Sequence, residues 1–202
     1  ITIEDPIEYL HHHGTSNVDQ REVGSDTRSF AEGLRHALRQ DPDVLAVGEL
    51  RDHETASVAL TAAETGHLVL ATLHAHDSVT AVERLVELFP GHQQAQVRAQ
   101  LADVLQIAFS QRLVRRASGI RRIVAFERLS GSPRVRQALR EGRTHALRSL
   151  MQANLEELTS LDESLTALVV AGAITRDEAH KWAESREFVD EHLRMRGVAV
   201  PE

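Results

Sequence analysis

The sequence predicts an α/β fold in which a mostly parallel sheet with flanking helices precedes a helical C-terminal part. Two strongly apolar segments, Val44 to Val47 and His67 to His74, show little polar alternation, which is typical of strands covered on both faces. A helical segment separates them, and this alternation indicates βαβ units. Beyond Ser130 the pattern is helical only. We therefore expect one domain over 1–130 and a second, helical domain over 131–202.

The composition bounds the function classes. The chain has 202 residues, enough for one core and a small appendage, and its net charge of −7 argues against a dedicated nucleic-acid binder. Aromatic residues make up only 3%, so base-stacking platforms are not expected. With no cysteine, disulfides and thiolate metal sites are ruled out. No apolar run approaches the roughly 18 residues that a membrane-spanning helix needs, so we expect no membrane insertion.

The first elements follow from local signals. Ile1 to Ile3 reads as a strand, and because the chain starts there without a methionine, we expect it to begin in mid-domain as a fragment of a longer protein. Asp5 precedes a proline and is therefore expected to be extended. A helix is predicted from Thr27 to Gln40, where apolar residues recur at a spacing of four.

The later elements are predicted in the same way. A helix over Glu54–Thr65 ends at Gly66. Further helices are expected from Asp77 or Ser78 to Phe89, over 92–107, 133–141, 144–152, 161–171 and 175–194, and a hairpin over 110–116 and 121–129. Thr175 and Glu178 form a capping box at the start of the last helix.

Polar groups cluster at the ends of the predicted strands. Glu4, Asp5 and Glu8 follow the first strand, Glu49 follows the second, and His67 and His74 flank the third. Ligands bind at the carboxyl ends of parallel strands. Carboxylates and imidazoles at such an edge point to a nucleoside-triphosphate site, where catalysis is mostly positioning and charge neutralisation. Taken alone, each group has another interpretation: Glu49 in a solvated turn, the first three acids in an acidic loop, and the two histidines as structural hydrogen-bonding groups.

Two other clusters carry less information. His11, His12 and His13 are adjacent, and three adjacent histidines cannot all face one ion on a regular element, so a solvated loop is expected. Arg28, Arg35 and Arg39 lie on one helix face. That set suits either a solvated face or an anionic partner.

The three polar strand ends resemble a known set of motifs. Residues 3–8 (IEDPIE), 41–52 (DPDVLAVGELRD) and 65–74 (TGHLVLATLH) resemble, in order and spacing, the Asp box, Walker B and His box of the secretion ATPase superfamily. The resemblance implies a RecA-like P-loop NTPase core.

Within the superfamily, the sequence most resembles the PilT-type retraction ATPases of type IV pili. Residues 20–23 (QREV) recur there, the helical tail over 161–187 has their pattern, and the four-cysteine insertion common in assembly and secretion relatives is absent. The segment Pro133, Arg134, Val135, Arg136, Gln137, Ala138, Leu139 resembles their AIRNLI motif, with Val135 in place of Ile, Gln137 in place of Asn and Ala138-Leu139 in place of Leu-Ile.

The resemblance implies a role for each matching residue. Glu8 would be the general base or would orient the attacking water, and Glu49 would act in Walker B through Mg²⁺ or its water shell. Asp5 would help order the metal region. His67, His74 and Arg51 would sense or contact the phosphates. The implied ligands are ATP and Mg²⁺.

The resemblance also implies partners. It suggests a cytoplasmic homo-hexamer, peripheral at the inner membrane, that retracts pili for twitching motility with a pilus platform protein as partner. Two alternatives stay open. One is a type II secretion or pilus-assembly ATPase. The other is a non-catalytic module whose helical tail and Arg134–Arg136 segment dock on a membrane platform protein.

The sequence departs from the family in one respect. It contains no G-x-x-x-x-G-K-[ST] motif, whose backbone amides, lysine and hydroxyl supply most phosphate and metal binding in P-loop proteins. We therefore expect the chain alone neither to bind nucleotide tightly nor to hydrolyse it. The full-length protein is expected to do both.

Overall fold

A computed structural model describes residues 1–152 and 158–198. In chain order the elements are β1 Thr2–Glu4, β2 Gln20–Glu22, α1 Phe30–Ala37, β3 Val44–Val47, α2 His53–Glu64, β4 Leu68–Ala71, α3 Ser78–Glu87, α4 Gln94–Val104, β5 Ile107–Arg115, β6 Arg122–Ser130, α5 Pro133–Arg140, α6 Thr144–Gln152, β7 Leu158–Thr159, α7 Leu161–Val170, α8 Arg176–Trp182 and α9 Arg186–Met195.

The chain forms two compact units, which divide differently from the predicted domains. The first unit comprises residues 1–75, 80–105 and 139–142, and the second comprises 76–79, 106–138 and the described residues from 143 onward. The predicted boundary fell after residue 130. In the structure, strands β5 and β6 group instead with the helices that follow them, because α7 packs on β6.

The first unit is built on a four-stranded sheet in the order β2-β1-β3-β4, with every neighbouring pair parallel. This confirms the predicted parallel sheet. One face is covered by α1 and α2, and there Ile3, Leu45 and Val47 are almost fully buried. On the other face Leu68 and Leu70 are about half exposed. We predicted that these strands are covered on both faces. Among the described residues this is wrong, because helices cover one face of the sheet and leave Leu68 and Leu70 exposed on the other.

Helix α1 begins later than predicted. Ser29 is extended and its hydroxyl accepts the Glu32 N–H, so the regular helix starts at Phe30 and not at Thr27. The segment Leu38–Gln40 is a 3₁₀ helix that ends at Asp41, a residue with a positive φ of 54°. This turn leads directly into β3.

The second unit contains an antiparallel sheet in the order β5-β6-β7. The predicted hairpin is confirmed, and Gly119, with a φ of +76°, makes its turn. Strand β5 begins at Ile107, so the predicted helix over 92–107 is too long at both ends. Strand β7 makes the part beyond residue 130 not purely helical. A core of apolar residues joins the sheet to α7, α8 and α9: Val114, Ala125, Leu165, Ile174, Ala179, Val189 and Leu193.

The predicted single helix over 175–194 is two helices. Helix α8 ends at Trp182, and Ser185 caps α9 by accepting the Phe188 N–H. The buried Asp162 carboxylate accepts the backbone N–H groups of Glu184 and Ser185 at 2.8 and 2.9 Å. Burial raises the pKa of Asp162, against the lowering effect of these two hydrogen bonds. The break therefore satisfies a buried carboxyl that a continuous helix would leave without these donors.

An ion pair ties α8 to α9 and makes the second unit sensitive to acid. The Arg176 guanidinium donates to both Asp190 oxygens at 2.7 and 2.6 Å, and His180 Nε2 lies 2.8 Å from one of them. The Arg176 hydrogen bonds, followed by His180, lower the pKa of Asp190 to about 2. Because the folded-state pKa is depressed, the stabilisation is present above the ordinary value of 3.8 and is lost as the pH falls towards about 2.

Asp190→Asn should therefore lower the free energy of unfolding by about 1 kcal/mol at neutral pH, a value for a partly exposed pair. The difference from the wild type should shrink as the pH falls from 3.8 towards about 2. Urea unfolding followed by the fluorescence of Trp182, the only tryptophan, measures both. Glu191→Gln, an exposed change on the same helix, is the control. A difference that does not vary with pH would contradict the assignment.

Candidate functional site

Strands β1, β3 and β4 end at the same edge of the first sheet. Gly48 donates its N–H to the Ile3 carbonyl at 2.8 Å, and Leu50 donates to the Thr72 carbonyl at 2.9 Å. The Thr72 hydroxyl also donates to the Gly48 carbonyl. The pairing thus continues beyond the regular strands. It brings together the segments that carry Asp5, Glu49 and His74.

Glu49 lies at the centre of this edge. Its side chain is 12% exposed, and the Arg51 guanidinium pairs with Oε1 while His74 Nε2 lies 2.8 Å from Oε2. The His74 contact is an ion-pair contact without hydrogen-bond geometry, and Oε2 is buried with no hydrogen-bond partner among the described residues. A buried carboxylate oxygen with an unused lone pair is suited to a water molecule or a metal ion.

Arg51 links two of the predicted acids. Its guanidinium contacts Glu49, and its Nη1 lies 3.6 Å from Asp5 Oδ2. The Arg51 side chain is 57% exposed and that of His74 is 85% exposed. The Arg51 and His74 side chains therefore both contact Glu49 and both remain accessible to solvent. This exposure leaves them free to exchange the carboxylate for an anionic ligand.

Gly48 explains why Glu49 can sit so close to β1. A Cβ atom at this position would lie 3.2 Å from the Ile3 carbonyl oxygen and 3.4 Å from the Glu4 Cα atom. Backbone atoms cannot move aside as a flexible side chain can. Glycine is therefore needed for the close approach that carries Glu49 to the carboxyl edge.

Glu8 follows β1 in the same loop as Asp5, but no hydrogen bond or ion pair joins it to Glu49 in the described structure. It is exposed. The loop is held at the preceding residue, where the Ile7 N–H donates to Glu22 Oε2 at 3.0 Å. Glu8 therefore lies on the predicted side of the sheet with its carboxylate open to solvent.

His67 lies away from the edge that carries Glu49 and His74, although we expected both histidines at one edge; its contact with the phosphates stays a prediction. It precedes β4 and therefore lies at the amino end of the strand, whereas His74 follows the carboxyl end. The strand spans four residues, about 13 Å at 3.3 Å per residue. Its Nδ1 lies 3.0 Å from the Ala62 carbonyl and 3.2 Å from the Thr65 hydroxyl at the end of α2. These contacts are those expected of a structural hydrogen-bonding group, one of the alternatives open from the sequence.

Two polar residues of β2, Gln20 and Glu22, hold the loop that follows β1. The sequence did not predict this role for them. Gln20 Nε2 donates to Glu4 Oε1 and to the Tyr9 carbonyl, both at 2.9 Å, and Glu22 accepts the Ile7 N–H. In the sequence, the only signal in residues 20–23 is their resemblance to the same segment of the retraction ATPases. Their strand is three residues long and has no apolar run, so only its pairing with β1 reveals it.

The segment Pro133–Leu139 lies on α5. Val135, Ala138 and Leu139 are buried, whereas Pro133, Arg134 and Gln137 are exposed. Arg136 Nε donates to the Gly131 carbonyl at 2.7 Å, which ties the guanidinium back to the start of the helix. The surface of this segment available to a partner is therefore carried by Pro133, Arg134 and Gln137.

The acids at the carboxyl edge fit Mg²⁺ in one specific way. No group of three or more histidine, aspartate or glutamate side chains that could hold a metal comes together within residues 1–152 and 158–198. Mg²⁺ is usually bound by one or two carboxylates together with substrate phosphates. Two carboxylates are available for this kind of binding. Oε2 of Glu49 is buried without a hydrogen-bond partner among the described residues, and Asp5 contacts the same Arg51 guanidinium that pairs with Glu49 Oε1.

In the same described ranges, no helix is long and apolar enough to cross a membrane. The histidines at 11–13 lie in an exposed loop, where the Val18 N–H donates to His13 Nδ1 at 3.0 Å.

Comparisons with known proteins extend over nearly the whole chain. The protein-family model described as "Type II/IV secretion system protein" matches residues 1–194. The type IV pilus retraction ATPase PilT of Pseudomonas aeruginosa is 43% identical over 188 residues, which cover 93% of this chain and 54% of that protein. The chain therefore spans about half the length of the curated relatives it matches.

Two solved structures resemble this one. The crystal structure of the pilus retraction motor PilT with bound ADP matches with a TM-score of 0.81 and 46% identity, covering 91% of this chain and 52% of that chain. The Legionella pneumophila ATPase DotB matches with a TM-score of 0.80 and 31% identity, covering 90% and 50%. These similarities confirm the predicted RecA-like α/β fold.

Proposed function

The chain belongs to the family of type II/IV secretion system proteins, and from this premise we propose that it works as part of a motor ATPase that drives pilus retraction. The observation that carries the proposal is the meeting of Glu49, Arg51, Asp5 and His74 at the carboxyl edge of a parallel sheet. The similarity to PilT at 43% identity supports retraction as the process.

In the proposed reaction, water attacks the γ-phosphorus of ATP, the bond to the bridging oxygen breaks, and the water's proton passes to a carboxylate. Glu8 takes that proton or orients the water, since it is exposed on the carboxyl side of β1. Glu49 supplies fixed negative charge from a nearly buried position. Charge placed in advance in a partly water-excluded site requires no reorganisation when the reaction occurs.

Glu49 and Asp5 are the residues that would hold Mg²⁺, and when bound the ion would neutralise charge on the phosphate oxygens. Arg51 and His74 now contact Glu49, and both reach solvent. In the proposed cycle these two side chains exchange the carboxylate for phosphate oxygens when nucleotide is bound. His74 can do so because the two ring nitrogens of an imidazole can serve as hydrogen-bond donor or acceptor.

We assign the assembly and the partners by the same family membership. The full-length protein acts as a homo-hexamer, cytoplasmic and peripheral at the inner membrane, with a pilus platform protein as its partner. The exposed Pro133, Arg134 and Gln137 are the proposed contact for that partner. Two alternatives would replace this assignment. One is an ATPase of type II secretion or pilus assembly, and the other is a non-catalytic docking module.

The test is ATP hydrolysis by the full-length protein, measured as phosphate release with Mg²⁺ and again with EDTA. We expect hydrolysis that EDTA abolishes, while residues 1–202 alone show no tight ATP binding by calorimetry. A full-length protein without hydrolysis would support the docking module. Deletion of the gene is expected to leave pili in place and stop twitching; loss of pili or of protein secretion would indicate assembly or secretion instead.

A further inference from the structure

Residues His76–Val79 belong to the second compact unit, although the chain on both sides of them belongs to the first. They directly follow the segment that carries His74. Asp77, Ser78 and Val79 are all buried, at 5%, 0% and 2% exposure. Three consecutive residues buried in this way must be held by specific contacts, because their polar groups cannot be solvated.

The principal contact is with Glu127 on β6. Its Oε1 accepts the Ser78 N–H at 2.9 Å and also the Ser78 hydroxyl. Glu127 is itself only 7% exposed. Removing this acceptor would leave two buried donors of Ser78 unpaired, which costs more than the loss of an exposed hydrogen bond.

The second unit also holds the residues just before Ser78. The Arg112 guanidinium donates to the His76 carbonyl, and the Ser110 hydroxyl donates to the same oxygen at 3.3 Å. Arg148 Nη1 lies 3.6 Å from Asp77 Oδ2. Residues 76–78 are therefore fixed at three consecutive positions by side chains of β5, β6 and α6.

Only Ala75 separates His74 from this segment, and the connection is tight. The Ala75 N–H donates to the Leu73 carbonyl at 3.0 Å, which makes a turn centred on His74. On the other side, Thr72 is held to the residues around Glu49 by two hydrogen bonds, through its carbonyl and its hydroxyl. The backbone of His74 is thus restrained from both directions within a few residues.

We infer that Glu127 is a positioning residue for ATP hydrolysis: it holds Ser78 and thereby restrains the adjoining turn of the chain that carries the His74 imidazole. The inference rests on the proposed function of the Glu49–His74 edge. Misplacement of a reacting group by about 1 Å can cost on the order of 100-fold in rate.

The test compares Glu127→Ala and Glu127→Gln in the full-length protein. We expect the alanine variant to lower kcat about 10-fold or more with KM for ATP within about twofold, since phosphate binding does not depend on His74 alone. Glutamine keeps an acceptor for Ser78 but loses the second carboxylate oxygen, and it is expected to recover only part of the rate. Amide hydrogen exchange of the peptide covering residues 73–80 should rise in the alanine variant, while peptides of α7 to α9 stay unchanged. Glu191→Ala, an exposed change in the same unit, should alter neither readout.

The outcomes separate the two proposals. A wild-type protein that does not hydrolyse ATP ends the proposed function. An active wild type whose kcat is unaffected by Glu127→Ala overturns the positioning role, even if exchange over 73–80 has risen. If the alanine variant does not fold, Glu127→Gln decides: an intermediate kcat with raised exchange at Ser78 supports the role, and wild-type values for both overturn it.

Discussion

Replacing Glu49 with glutamine is expected to lower ATP turnover by the full-length protein by about 100-fold or more, with little change in nucleotide affinity. Glutamine preserves the shape of a side chain that is only 12% exposed and contacts both Arg51 and His74. It removes the fixed negative charge with which Glu49 would hold Mg²⁺ beside the phosphates. Steady-state phosphate release, together with binding of a fluorescent ATP analogue, separates the loss of turnover from any loss of binding.

Two further variants sharpen this result. Glu87→Gln, an exposed change at the end of α3, should leave turnover within twofold of the wild type and serves as the matched control. Glu8→Gln should also reduce turnover strongly, because the proposed base is lost. Wild-type turnover in Glu49→Gln would show that this carboxylate has no part in hydrolysis and would remove the main support for the proposed site.

The meeting of Glu49 and His74 in the structure follows from strand direction alone. Glu49 and His74 each follow an apolar run, and residues that follow parallel strands meet at one edge. His67 lies away from Glu49 for the same reason, since a residue that precedes a strand lies at the opposite edge. The apolar pattern marks both ends of β4 equally. Only the direction of the chain distinguishes the two histidines.

The features that the sequence did not predict depend on contacts distant in the chain. The break between α8 and α9 exists because Asp162, more than twenty residues earlier, accepts two N–H groups there. Strand β2 is defined by its pairing with β1, and its Gln20 and Glu22 hold the loop of Asp5 and Glu8. No local propensity encodes such pairings, because each needs a partner that the fold brings into place.

The contact between Glu127 and Ser78 combines a local signal, the start of α3, with a partner that is distant in the chain. The sequence predicts that Asp77 or Ser78 starts α3, and the structure begins that helix at Ser78. It does not predict that a residue 49 positions later binds the Ser78 N–H. In β6, buried Ala125, Glu127 and Leu129 alternate with more exposed residues, so the carboxylate lies on the covered face of its sheet. A buried acid on an otherwise apolar face is the signal that could have identified it.

Leu165→Ala should lower the free energy of unfolding of the second unit by about 2 to 5 kcal/mol, the usual cost of a large-to-small change in a packed core. Leu165 is fully buried on α7 among core residues that include Ile174 and Val189. Trp182 lies on α8 of the same unit, so urea unfolding followed by its fluorescence measures this loss directly. Val170→Ala on the same helix, at a position 42% exposed, should change the value by about 0.5 kcal/mol or less. A loss below about 1 kcal/mol in Leu165→Ala would mean that α7 does not pack as described, and that the β6 strand carrying Glu127 lacks the rigid support which the positioning of His74 requires.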